Sequence, residues 1–166
     1  MGIMENKQKT KICLNWIVVV LYLAVIFYFS SQDATKSHVT SSRLLEYLDF
    51  LIVLIPEFIK KFASFVFVSA EAVLRKAAHF TEYLILSLIF YKAVFASGVK
   101  WKKSVFMTFV FCLLYAISDE VHQLFVPGRA FQITDILIDA FGASVGIGII
   151  YVKKHISKHE YGEKEA

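Results

Sequence analysis

Four stretches of this chain run apolar for close to twenty residues each, and charge brackets every one of them. The first spans about residues 12–29, the second 77–96, the third 104–126 and the fourth 133–152. An α-helix rises 1.5 Å per residue, so the first run alone makes a rod of roughly 27 Å, close to the thickness of a hydrocarbon core. A soluble fold cannot bury four such rods in 166 residues, of which 57% are apolar and 16% aromatic. Only helices satisfying their own backbone hydrogen bonds cross lipid in a chain without barrel alternation. The sequence therefore predicts an all-α integral membrane protein with four transmembrane helices.

Between the first and second runs the chain is of a different kind. Residues 30–42 are polar, with Ser30, Ser31, Gln32 and Asp33 at their head. Segment 43–74 is apolar but broken by Glu46, Asp49, Pro56, Glu57, Lys60, Lys61 and Glu71. Neither of its apolar pieces is long enough to span, so amphipathic helices lying at the interface are predicted there. The first run is too long for the core of a signal peptide and ends on bulky Phe27 and Phe29; it is expected to stay as a span.

Charge sets the expected orientation. The tails 1–11 and 153–166 and the linker 92–103 carry 11 of the 18 Lys and Arg but 4 of the 14 acids. Basic residues gather on the cytoplasmic side of bacterial-type spans, which predicts a multi-pass plasma-membrane protein with both termini in the cytoplasm. The formal charge of +4 is read as topology, and no nucleic-acid partner is expected. Cys13 and Cys112 both sit in apolar runs as small hydrophobes.

Ionisable groups are sparse inside the runs, with one exception. Ser118-Asp119-Glu120-Val121-His122-Gln123 closes the third run, Pro127-Gly128-Arg129 makes a turn, and Asp135 and Asp139 open the fourth. Arg75, Lys76, His79, Glu82 and Tyr83 open the second. Up-and-down spans deliver all of these to one depth. Helical spacing puts Arg75, His79 and Glu82 on one stripe, and Tyr115, Asp119, His122 and Gln123 on another. Asp135, Asp139, Gly142 and Gly146 form a third stripe, and its GxxxG spacing allows close helix approach.

These segments, together with Ser30-Ser31-Gln32 and Asp139-Ala140-Phe141-Gly142-Ala143, resemble the VanZ-like family over roughly residues 20–152. That resemblance implies a small multi-span protein of the cell envelope, associated with resistance to the glycopeptide teicoplanin. It implies no established reaction.

The residues themselves leave several uses open. His79 or His122, oriented by Glu82, Asp119 or Asp139, would serve as a general acid or base in an enzyme. Arg75, Lys76, Gln123 and Arg129 would hold an anion, with Tyr83, Glu120 and Asp135 in support. The expected partners are the bilayer and a lipid-linked cell-wall precursor or phospholipid head group. A binding module without chemistry needs only the cations, and a structural cluster needs only charge pairing across helix ends. His79, His122, Asp119, Glu120 and Asp139 are suitable metal ligands, but no recognised ligand spacing occurs, so no metal is assigned and the cofactor stays open. P-loop, Rossmann and GxSxG patterns are missing, which argues against nucleotide cofactors and familiar serine chemistry.

Overall fold

The computed structural model describes residues 2–32 and 70–162. They form four helices: α1 (Gly2–Ser30), α2 (Ala70–Ala96), α3 (Trp101–Gln123) and α4 (Ile133–Gly162). Each contains a stretch long and apolar enough to cross a membrane. The interfacial helices expected over 43–74 lie outside the described residues, except that Ala70 to Leu74 form the start of α2.

Several helix ends differ from the runs read in the sequence, α1 among them, which begins at Gly2 rather than near residue 12. The second helix begins before residue 77, at Ala70, so Arg75 and Lys76 belong to the helix rather than to its approach. The fourth continues beyond Val152 to Gly162, where Lys154 lies over the Trp101 ring at 3.9 Å. The third stops at Gln123 instead of reaching Val126. Pro127 disfavours helical backbone at the residue before it. The amides of Leu124, Phe125 and Val126 bond three residues back (3.3, 3.0 and 3.1 Å), which tightens the last turn. Gly128 then takes φ 75°, a conformation with little cost for glycine alone.

Contacts fix the directions. Trp16 of α1 donates to the Ser97 hydroxyl at the end of α2, while the Tyr22 hydroxyl reaches the Glu82 carbonyl, so α1 and α2 run antiparallel. Lys76 meets Asp135, and Phe80 faces Gly142, so α2 and α4 run parallel. The bundle is up-down-up-down, with α2 touching the other three helices. α2 and α4 form its tightest pair. A Cβ on Gly142 would run into the Phe80 backbone carbonyl, and one on Gly146 would stand 2.8 Å from the Leu84 carbonyl and collide with the Ser87 hydroxyl. Absent side chains here let backbone meet backbone.

The core lies where α1, α2 and α3 converge, around Ile26, Tyr83, Leu86, Cys112 and Ala116, with Ala143 closing it from α4. A second layer of Val19, Phe90, Ala93 and Val94 lies farther along, where Phe90 and Phe111 stack at 4.0 Å. Most of α1 stays outside this core: Leu14, Ile17, Val20, Leu21 and Val25 are exposed, a surface suited to lipid tails. Two tyrosines tie it inward. The Tyr115 hydroxyl donates to the Leu23 carbonyl at 2.9 Å, and the Tyr22 hydroxyl to that of Glu82 at 3.2 Å. Both carbonyls are inside helices, so these bonds add to ladders already made. Tyr115→Phe is expected to lower stability by about 0.6 kcal/mol, the mean for interhelical bonds in lipid. Unfolding in mixed micelles checks this, and a loss several times larger would mean the hydroxyl does more than tether α1.

Candidate polar site at one end of the bundle

With α2 and α4 parallel and α1 and α3 opposed to them, one end of the bundle gathers the starts of α2 and α4 and the finishes of α1 and α3. The ionisable residues of the three predicted stripes arrive there. Register follows from the glycine contact. Phe80 against Gly142 sets His79 beside Asp139, and one turn earlier Lys76 beside Asp135.

The Lys76 Nζ donates to Asp135 Oδ1 at 2.9 Å. Asp135 is buried, while Lys76 keeps part of its side chain open at the rim. His79 Nδ1 stands 3.2 Å from Asp139 Oδ1, near enough for an ion pair but out of line for a straight hydrogen bond. Asp139 is fully buried, and neither of its oxygens accepts an aligned hydrogen bond. A carboxylate so placed needs a cation or proton close by.

From α3 come Asp119, Glu120 and Gln123, all buried. Gln123 Nε2 makes a long bond of 3.4 Å to Asp119 Oδ2, and Ser30, at the end of α1, is buried against the same carboxylate. Glu120 projects the other way. Its Oε2 accepts the backbone N–H of Gln132 at 2.7 Å, satisfying a donor at the head of α4, where a helix favours negative charge. Its Oε1 is sealed from solvent without a partner. The helical stripe through Asp119 and Gln123 leaves Glu120 off its line, so only a supporting place was expected for it. The turn that carries Gln132 back over α3 is what buries it.

His122 packs its ring on Phe27 of α1, centroids 4.4 Å apart, and stays within electrostatic reach of Asp119. Glu82 is half-buried and within electrostatic reach of His79, Asp119, Asp139 and Arg129. Tyr83 is fully buried between them, its hydroxyl without an acceptor. Arg129 bends back from the turn so that its Nε donates to the Gln32 carbonyl at 3.3 Å. Burial and the neighbouring Arg75 push its guanidinium down from the ordinary value, while Asp119, Glu120 and Asp135 push it back up. Sequence reasoning had no means to find the Ser30 and Gln132 contacts, although Ser30-Ser31-Gln32 already stood out as a polar stop after α1.

Among the described residues the arrangement thus holds five carboxylates (Glu82, Asp119, Glu120, Asp135 and Asp139) against three fixed cations (Arg75, Lys76 and Arg129). One ring nitrogen of His79 and one oxygen each of Glu120 and Asp135 lie within 4.8 Å of one another. Among the described residues this is the set close enough to share a metal ion, and it differs from the five ligands suggested by type alone.

The family model of VanZ/LLP1 matches residues 15–154, which include every group just described. The chain belongs to the VanZ/LLP1 family. Four membrane-capable helices and this membership make it a VanZ-like, multi-pass membrane protein. No curated protein and no solved structure matches the chain. In VanZ terms, the matched region begins within α1 and ends within α4, so the polar end lies well inside it.

Proposed function

We propose that this polar end is the working part of a VanZ-like protein, and that it receives the anionic head group of a lipid-linked cell-envelope component. The bilayer is its setting, the partner is a lipid-linked cell-wall precursor or phospholipid head group, and the outcome is altered susceptibility to teicoplanin. The basic end, with Lys7, Lys9, Lys11, Lys100, Lys102, Lys103 and Lys153, would face the cytoplasm, and the polar end would face the outer leaflet.

The observation that supports this reading is the set of buried polar atoms left without partners. A cluster serving only to lock helix ends would pair its groups, since an unmatched buried polar atom costs about 1–3 kcal/mol. Among the described residues, Glu120 Oε1, Asp139 Oδ2, the Tyr83 hydroxyl, Arg75 Nε and His122 Nε2 all lack one. Groups kept short of partners in a resting protein are suited to meeting a ligand. Arg75 and Arg129 would grip phosphate oxygens in the planar, two-pronged manner of guanidinium. The His79–Asp139 pair would make proton transfer available if chemistry follows binding, with the imidazole as acid or base.

Arg129→Gln tests the reading, because Arg129 lies in the turn rather than in a packed helix. The variant is expected to reach the membrane at normal abundance and to lose at least tenfold of any shift in teicoplanin susceptibility that the parent confers. Full retention of that shift at equal abundance overturns the head-group reading. Asp119→Asn, scored alongside, is expected to act in the same direction.

A further inference from the structure

We propose that His79, Glu120 and Asp135 hold one divalent transition-metal ion, Zn²⁺ or Mn²⁺. The three side chains come from α2, α3 and α4, and each is buried. One imidazole with two carboxylates is a donor set that both ions accept, leaving further positions for water or a phosphate oxygen. Donors bound at about 2.0–2.2 Å lie roughly 3–4 Å apart across an ion. A spread of 4.8 Å therefore closes with small side-chain rotations.

Two observations beyond proximity point to the ion. The first is Glu120, 0% exposed, which spends Oε2 on the Gln132 amide and leaves Oε1 sealed and unpartnered. The second is charge. Among the described residues five carboxylates face three fixed cations, and a dication bound in place of a proton on His79 would offset that excess. Unbalanced buried charge is otherwise removed by protonation, at a cost.

The surroundings resemble the outer layer of a metal site. Asp139 stands at Nδ1 of His79, where a carboxylate orients a ligating imidazole and raises its basicity. Lys76 holds Asp135 by Oδ1, which leaves the second oxygen of that carboxylate for the ion. The proposal deepens the head-group reading, since a bound cation supplies positive charge where carboxylates now outnumber bases. It is nevertheless measured without any lipid.

The test uses the full chain purified in detergent, stripped with a chelator, then equilibrated with Zn²⁺ or Mn²⁺ and counted by elemental analysis. About one ion per chain is expected, with chelator lowering the melting temperature of the loaded protein. Glu120→Gln and Asp135→Asn, each judged on monodisperse material, are expected to lose stoichiometric binding and the chelator-dependent shift. Asp139→Asn, acting through the imidazole, is expected to weaken binding by about 10–100-fold. His155→Ala, at the far end of α4, is expected to bind as the parent does. Substoichiometric metal in the parent overturns the proposal, even if the variants fail to fold; so does Glu120→Gln binding as tightly as the parent. Metal without an Arg129→Gln effect on susceptibility sinks the head-group reading alone. An Arg129→Gln effect without metal sinks the ion alone.

Discussion

Gly146→Leu is expected to abolish folded protein in the membrane, whereas Gly148→Leu, two residues along the same helix, is expected to do nothing measurable. The difference lies entirely in what a side chain would meet. At Gly146 the first added carbon stands 2.8 Å from the Leu84 carbonyl, part of the α2 backbone, which cannot rotate aside as a flexible side chain can. At Gly148 nothing lies within 4 Å. Overpacking a side-chain core costs about 1–3 kcal/mol, and wedging two helix backbones apart costs more. Total stabilities are only about 5–15 kcal/mol. Separating α2 from α4 would also pull Lys76 from Asp135 and His79 from Asp139. Detergent-resistant abundance and unfolding in mixed micelles read the result. Equal stability of the two variants would mean that the helices do not meet at the glycines.

The second large effect belongs to the buried ion pair. His79→Leu leaves Asp139 inside the bundle with no cation beside it, and removing one partner of such a pair costs about 3–5 kcal/mol. The double variant His79→Leu/Asp139→Leu is expected to recover most of that loss, because apolar replacements of similar volume often match or exceed a buried pair in stability. Its susceptibility phenotype should stay absent. A double variant that folds and keeps the phenotype would reduce the pair to a fastener. One no more stable than His79→Leu would show that Asp139 is stabilised by something other than the imidazole.

The four helices were legible because lipid imposes a length and an apolarity that few other environments demand, and residues 12–29 carry that signature without help from context. The GxxxG stripe was legible for a related reason: Gly142 and Gly146 share a face at helical spacing, and glycine there has little purpose except close approach. Placing the stripes at one depth left Glu82, Asp119 and Asp139 as candidate carboxylates for His79, and the structure sets Asp139 beside it. Other features depended on contacts between segments. Glu120 lies off the helical face of Asp119, and only the return of the chain through Pro127 and Gly128 brings the Gln132 amide onto it. His122 keeps within electrostatic reach of Asp119, as their spacing implies, but its packing on Phe27 depends on where α1 lies. The helix ends were the least legible, since Lys153 and Lys154 look like the end of a span but do not end a helix.

The pairing of α2 with α4 also bears on how the chain enters its membrane. α2 is the least apolar of the four membrane-capable helices, yet it occupies the middle of the bundle. His79 and Lys76 find their acids on α4, which is made well after α2. During synthesis α2 must therefore wait, half-content in lipid or held by the insertion machinery, until α4 emerges. A chain cut short before Asp135 would leave that helix the first to slip out of the bilayer.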